Sequence, residues 1–166
     1  MSSGSPAIER IVVGVDGSEH ARAALEWAVA LARLTDAEIV AVHALHEPAY
    51  AYAYPYAVPL RFDPEWRAAV RREFEDEWCA PLAGAGVRYR TLFEDGRPAP
   101  VIAAAAERVD ADLVMVGRRG RGGFAELVLG SVSHELSHHC RRPVLLLTAA
   151  RTARQPQVEA AARTSR

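Results

Sequence analysis

The glycines and serines in the last third of the chain are residues of a kind, and at a spacing, suited to binding phosphate. Gly117 and Gly120 follow an apolar run, and nine residues separate Gly120 from the sequence Gly-Ser-Val-Ser at 130–133. Glycine adopts positive φ and lets a backbone lie against a ligand, because it has no Cβ. Ser131 and Ser133 place hydroxyls at the start of a predicted helix, where unpaired N–H groups attract anions. The pattern therefore predicts a turn and a helix N-terminus that hold phosphate groups.

A second polar group follows the first predicted strand. The β-branched run at 11–15 is followed by Asp16, Gly17 and Ser18. Ser18 is suited to cap the next helix, and an aspartate in such a turn commonly accepts hydrogen bonds from the following backbone N–H groups. The Asp16 carboxylate is also an acceptor for a ligand, and capping and ligand binding do not exclude each other.

Apolar periodicity predicts strands that alternate with helices. Five runs have the length and β-branched content of buried strands: 11–15, 37–45, 87–93, 112–116 and 143–148. Helical spacing, or a proline suited to a first turn, predicts helices at 18–34, 64–82, 99–109 and 131–140. We therefore expect one doubly wound α/β domain over 9–148, with a five-stranded parallel sheet in the order 3-2-1-4-5 and helices on both faces. Trp27, Trp66 and Trp78 are expected to anchor their helices in the core.

This strand order brings the two polar motifs together. In doubly wound folds, ligands bind at the carboxyl ends of the strands, where the strand order reverses. Asp16 follows strand 1 and Gly117 ends strand 4, and these strands are neighbours at that point. Two independent motifs therefore converge on one crevice.

Composition limits the classes of function. The chain has 166 residues and a formal net charge of −1, which suits one domain without general attraction to nucleic acid or anionic membrane. All 20 basic residues are arginine, which excludes a Gly-Lys-Ser/Thr phosphate loop and a lysine Schiff base. No apolar stretch reaches the roughly 18 residues of a membrane span, and the start lacks a signal peptide's apolar core. We expect a cytoplasmic protein, with Cys79 and Cys140 as reduced thiols.

Three other segments are interpreted from composition. The proline- and tyrosine-rich stretch at 46–63 predicts a loop insertion, and its alternating tyrosines suit a packed or partner-facing loop better than base stacking without a basic groove. His134 and His138 have the spacing of a metal pair, but the lack of a third ligand favours surface histidines. The polar ends, 1–8 and 149–166, are expected to be disordered.

With these features, the sequence resembles the universal stress protein family over essentially all of residues 9–148. The resemblance rests on Asp16-Gly17-Ser18 after strand 1 and on His43-Ala44 at the end of strand 2. It also rests on the pattern Gly117-x-x-Gly120-x9-Gly130-Ser131 and on the closing Arg-Pro-Val-Leu-Leu-Leu at 142–147. The long glycine pattern is the mark of the ATP-binding branch of that family.

The resemblance implies binding roles by position, and no catalytic or metal-ligating residue. Asp16 and Val15 would contact adenosine, with the carboxylate accepting from a ribose hydroxyl or the base, and Ala44 would meet the adenine edge through its backbone. The ribose–phosphate turn would be lined by Val116, Gly117 and Gly120. The phosphates would be held by N–H and hydroxyl groups of Gly130, Ser131, Val132 and Ser133. A glutamate at either Gly117 or Gly120 is expected to block binding with the fold intact.

Three functions are compatible with this pattern. We expect a switch that binds ATP with Mg²⁺ and hydrolyses it very slowly or not at all, acting in a stress response through an unidentified protein partner. The resemblance also implies a homodimer paired through the fifth strand, at Val144, Leu145, Leu146 and Leu147. One alternative is a ligand-free protein-interaction module of the same fold. The other is an ATP-hydrolysing enzyme of the adenine nucleotide alpha hydrolase folds, although the turn at 14–18 lacks their second glycine and no catalytic set is evident.

Overall fold

The structure is a computed structural model of the chain, and it describes residues 7–46, 64–121 and 129–149. Most of the predicted insertion at 46–63 lies outside these residues, including its alternating tyrosines. The same holds for most of the two ends, 1–8 and 149–166, that the sequence predicts to be disordered. The expectations for these segments stay predictions.

Five parallel strands form one sheet in the order β3-β2-β1-β4-β5, which confirms the predicted doubly wound α/β fold. The strands are β1 (Arg10–Gly14), β2 (Glu38–Leu45), β3 (Tyr89–Asp95), β4 (Leu113–Gly117) and β5 (Val144–Leu147). β1 lies between β2 and β4, and Gly14 is opposite Val116 in the β1–β4 register. The switch point of the sheet is therefore at the ends of β1 and β4.

Helices cover both faces of the sheet. Ser18 caps the first helix as predicted, because its Oγ accepts a hydrogen bond from the backbone N–H of Ala21 at 3.2 Å. The helices are α1 (Glu19–Thr35), α2 (Pro64–Arg72), α3 (Ala80–Ala83), α4 (Pro98–Arg108) and α5 (Ser131–His139).

The single helix predicted over 64–82 is divided by a π-helical segment, Glu73–Trp78, between α2 and α3. The backbone N–H of Cys79 donates to the carbonyl of Phe74 at 3.0 Å, five residues earlier. A π turn holds more residues than an α turn. Residues five apart therefore share a side, and Trp78 Nε1 donates to Glu73 Oε1 at 3.0 Å.

Two apolar layers enclose the sheet, because alternate strand residues point to opposite faces. On one face, α1, the π-helical segment and α3 contribute Leu25, Phe74 and Leu82 to a layer over Ile11 and Val13. On the other face, α4 and α5 pack over Val12, Val40, Val42, Val114 and Val116. The sheet is thus rigidly held on both sides, which positions the loops at its carboxyl edge.

Only part of the prediction about tryptophan is confirmed. Trp78 packs against the core of the first face, whereas Trp27 is 61% exposed and Trp66 is 43% exposed. The prediction is wrong for these two residues. The buried face of α1 is formed by other positions, among them Ala24, Leu25 and Ala28, and Trp27 lies outside that face.

Within the described part of the chain, no helix combines the length and apolarity that a membrane span requires.

Candidate functional site

The carboxyl ends of β1 and β4 bring Asp16 into contact with residues 118–121, which follow β4 and are called the glycine loop. Asp16 Oδ1 accepts a hydrogen bond from the backbone N–H of Ser18 at 3.0 Å. Asp16 Oδ2 accepts one from the backbone N–H of Arg121 at 3.1 Å. One carboxylate therefore joins the turn after β1 to the loop after β4, which is the juxtaposition that the strand order predicts.

Gly117 and Gly120, the first two glycines of the pattern, lie against different neighbours. A Cβ at Gly120 would be 2.5 Å from Asp16 Oδ2, so a side chain there would displace the carboxylate. A Cβ at Gly117 would be 2.7 Å from His20 Cβ and 2.8 Å from the backbone N of Ala21. This geometry argues against the expectation that a glutamate at Gly117 leaves the fold intact, since the space beside that position is filled by the backbone of α1.

The start of α5 is fixed to the same loop. The Gly130 N–H donates to the Arg118 carbonyl at 2.9 Å, and a Cβ at Gly130 would be 3.2 Å from that carbonyl oxygen. The Ser133 hydroxyl is buried, 2.8 Å from the Arg118 carbonyl oxygen and 2.9 Å from that of Gly130. A hydroxyl has one proton to donate, and in this arrangement Ser133 donates it within the protein. The first N–H groups of α5, at Ser131, Val132 and Ser133, have no partner within the helix.

The other predicted site residues contribute mainly backbone atoms. Val15, Ala44 and Val116 are buried in or beside the sheet, and Val132 packs against the second core layer. The Val15 N–H donates to the Val42 carbonyl at 2.9 Å, so the chain continues along β2 for one residue beyond β1. The structure thus places the strand-end residues at the predicted edge, with their side chains in the protein interior.

His43 belongs to an aromatic cluster beside this edge that the sequence did not predict. Its Nδ1 donates to the Val15 carbonyl at 2.7 Å, and its ring lies 4.9 Å from Trp78, 5.5 Å from Phe93 and 5.6 Å from Phe74, between centroids. Burial lowers the pKa of His43 below its ordinary value of 6.5, although the bond to Val15 and the Asp16 charge act in the opposite direction. His43 is therefore a neutral ring that ties β2 to the end of β1.

We predict that His43 makes the fold sensitive to acid. Because its pKa is lower in the folded state, the unfolded chain takes up the proton first as pH falls below 6.5. The contribution of neutral His43 to the free energy of unfolding is therefore fully present above pH 6.5. It is lost as the pH falls from 6.5 to the lower pKa that His43 has in the folded state. Urea denaturation at pH 7.5, 6.5 and 5.5 should show this loss in the wild type and a smaller one in His43→Gln. Equal pH dependence of the two proteins would contradict the assignment.

A second feature beyond the prediction joins the π-helical segment to the glycine loop. The Arg121 guanidinium lies 4.4 Å from the centroid of the Trp78 ring, and its Nη2 is 3.2 Å from Glu73 Oε1. These side chains border a cavity of about 620 Å³ that Val15 and Ser18 also line. No spacing rule could have found the contact, because it depends on the π turn and on how the loop crosses the end of β1.

The structure places no metal centre in the described residues. None of their His, Cys, Asp and Glu side chains form a group of three or more that could hold an ion. His134 and His138 have ring centroids 4.7 Å apart on α5, and both are exposed. This geometry agrees with the interpretation of the pair as surface histidines.

Comparison with known proteins agrees with the fold and with the family that the sequence resembles. The model of the universal stress protein family matches residues 7–148. Universal stress protein YxiE of Bacillus subtilis is 33% identical over 144 residues, which cover 83% of this chain and 97% of that protein. Universal stress protein UspA from Lactobacillus plantarum has the same fold, with a TM-score of 0.72 and 21% identity over 86% of this chain and 99% of that one. A universal stress protein solved in complex with cAMP gives a TM-score of 0.61 and 25% identity, covering 87% of this chain and 100% of that one. The chain therefore belongs to the universal stress protein family.

Proposed function

We propose that this protein is a cytoplasmic ATP-binding switch of the stress response, which hydrolyses its nucleotide very slowly or not at all. One observation carries the proposal. The Asp16 carboxylate, the glycine loop and the N-terminus of α5 meet at the switch point of the sheet, where Oδ2 of Asp16 bonds to the loop at 3.1 Å. An acceptor for a nucleoside and a donor surface for phosphates thus lie side by side.

The loop and α5 support the phosphate part of the site. The N–H groups of the first turn of α5 form an anion-binding end, and Gly130 holds this turn against Arg118. The Nε atom of Arg118 is buried and has no hydrogen-bond partner in the described part of the chain. A buried donor without a partner is costly, and a bound anion would satisfy it.

The strand ends support the nucleoside part. Asp16 is positioned to accept a hydrogen bond from a ribose hydroxyl or an amino group, and Ala44 stands at the end of β2 with its backbone at the same edge. The similar universal stress protein that was solved with cAMP holds an adenine nucleotide. We therefore propose an adenine nucleotide here, and the long glycine pattern, with its resemblance to the ATP-binding branch, favours ATP.

Magnesium enters this proposal with the nucleotide. Mg²⁺ usually keeps several water ligands and binds through one or two carboxylates and the phosphates of its substrate. The described residues provide no cage for the ion. The phosphates would supply most of its ligands, and the protein would bind the complex through the loop and α5.

The site has the parts that bind a nucleotide, but no general base is evident among the residues that the structure describes. Efficient phosphoryl transfer needs an oriented nucleophile and stabilisation of the charge in the transition state. Asp16 already accepts two backbone hydrogen bonds, and burial raises the pKa of the nearby Cys79 thiol to about 12. Binding energy would then stabilise one conformation of the loop rather than a transition state.

Calorimetry and a turnover assay on the same preparation test this function. We expect one ATP bound per chain in the presence of Mg²⁺, with hydrolysis far below the ordinary enzyme range of about 1 s⁻¹ or more. A rate in that range that is lost in Asp16→Ala would support the ATP-hydrolysing alternative. A well-folded protein that binds no nucleotide would support the ligand-free interaction module.

We also propose that two copies pair through β5. This strand is an edge of the sheet, and its Leu145 is 42% exposed, without a charge to protect the edge. We predict a dimeric mass by light scattering at micromolar concentration and a monomeric mass for Leu145→Arg. Tyr89→Arg is the matched control, since Tyr89 lies on the opposite edge strand and is 41% exposed. A monomeric wild type, or equal effects of the two substitutions, would contradict pairing through β5.

A further inference from the structure

Arg121 is held at the edge of the proposed nucleotide site by three contacts. Its Nη2 is 3.2 Å from Glu73 Oε1, and its guanidinium lies 4.4 Å from the centre of the Trp78 ring. Its backbone N–H donates to Asp16 at 3.1 Å. Glu73 Oε1 also accepts a hydrogen bond from Trp78 Nε1 at 3.0 Å. The Glu73 carboxylate and the Trp78 ring together form a preorganised binding surface for a cation, which we call the seat of Arg121.

Residues 118–121 connect this seat to the proposed phosphate site. Gly120 precedes Arg121 and faces Asp16, whereas Arg118 holds Gly130 at the start of α5. Three residues of extended chain span at most about 10 Å, so Arg121 lies within that distance of Arg118, whose carbonyl accepts from Gly130 at the start of α5. A long arginine side chain that leaves Glu73 therefore has bound phosphates within its range.

The ion pair between Arg121 and Glu73 is weak enough for Arg121 to exchange Glu73 for another anion. The Arg121 side chain is 55% exposed and that of Glu73 is 40% exposed, so water and salt screen their attraction. A di- or triphosphate offers more negative charge and several oxygens, and guanidinium binds such groups through two parallel hydrogen bonds.

We propose that Arg121 exchanges partners with the phosphate state of the nucleotide. Glu73 and Trp78 hold its guanidinium in the ligand-free protein, and the terminal phosphates of a nucleoside di- or triphosphate draw it away. AMP lacks those phosphates and leaves Arg121 on its seat. The inference rests on the proposed function. It means that the contact of Arg121 with Glu73 and Trp78 depends on the number of phosphates in the bound nucleotide.

Affinities for ATP and AMP test the exchange. Glu73→Gln removes the competing carboxylate charge, so we expect about two- to fivefold tighter ATP binding and unchanged AMP binding. Arg121→Met should weaken ATP binding about tenfold and leave AMP binding unchanged. Glu38→Gln is the matched control, because Glu38 Oε1 lies 3.2 Å from Arg90 Nε in a similarly exposed pair at the opposite end of the sheet. It should change neither affinity.

Fluorescence of Trp78 gives an independent readout of the same event. Trp27 and Trp66 are exposed and are replaced by phenylalanine, which leaves Trp78 as the single tryptophan. Departure of the guanidinium from the ring should change the Trp78 emission on addition of ATP with Mg²⁺, but not on addition of AMP. The same titration of Arg121→Met should give no change. Circular dichroism and urea denaturation establish that each variant is folded.

The outcomes separate this inference from the function on which it rests. If calorimetry detects no ATP binding to the folded wild type, both proposals are wrong. If ATP binds but Glu73→Gln has the same affinity as Glu38→Gln and Trp78 emission is unaltered, the exchange is wrong and the ATP-binding function stands. Tighter ATP binding by Glu73→Gln together with an ATP-specific Trp78 signal supports the exchange.

Discussion

The substitution Gly120→Glu is expected to abolish ATP binding while the domain remains folded. A Cβ at this position would be 2.5 Å from Asp16 Oδ2, and among the described residues the next atom within 4 Å belongs to the same carboxyl group. The new carboxylate would therefore displace Asp16 and stand beside both it and the phosphates. Like charges brought together in a binding site cost several kcal/mol, which corresponds to a loss of affinity of more than about 100-fold.

A matched variant separates the loss of the site from a change in net charge. Gly84 ends α3, and a Cβ there would have no neighbour within 4 Å in the described part of the chain. Gly84→Glu adds the same charge, so we expect its ATP affinity and its urea midpoint to equal those of the wild type. Calorimetry of the two variants is the measurement. Wild-type ATP affinity in a folded Gly120→Glu would show that the nucleotide binds elsewhere.

The sheet and the position of the site were predictable because they depend on local patterns. Strand 1 and strand 4 are short apolar runs followed by a polar residue or glycine, and the strand boundaries differ from the prediction by only one residue: 11–15 against Arg10–Gly14, and 112–116 against Leu113–Gly117. Once the strand order is 3-2-1-4-5, Asp16 and Gly117 must lie at one edge. Ser18 was predictable as a cap because capping involves only its own turn.

The contacts that surround the site depend on tertiary geometry, and the sequence did not predict them. Apolar spacing over 64–82 indicates a helix, but it does not show the π turn that puts Trp78 beside Glu73. The partner of Arg121 follows from that turn and from the path of the glycine loop over β1. Exposure of Trp27 is different, since Trp27 lies outside the face of α1 that buries Leu25 and Val29, and helical spacing alone places it toward solvent.

Gly117 and Gly120 show most clearly where reasoning from the sequence ends. In the glycine pattern they are equivalent, and both read as positions where a backbone must approach a ligand. In the structure, Gly120 faces a side chain of the site, whereas Gly117 faces the first turn of α1. The absence of a Cβ thus leaves room for the Asp16 carboxylate at one position and for the packing of α1 at the other. Substitutions at the two glycines should have different consequences.

Gly117→Glu is expected to prevent stable folding, in contrast to Gly120→Glu. Its Cβ would be 2.8 Å from the backbone N of Ala21 and 2.7 Å from His20 Cβ, and a helix backbone cannot rotate away as a side chain does. Even Gly117→Ala should lower the free energy of unfolding by about 1–3 kcal/mol, the usual cost of overpacking. The larger, charged glutamate would have to displace α1 from β4. Urea denaturation followed by circular dichroism compares Gly117→Ala, Gly117→Glu and Gly120→Glu with the wild type. A wild-type midpoint for Gly117→Glu would mean that α1 does not pack on this glycine, and the assignment of Gly117 to the fold rather than to the ligand would be wrong.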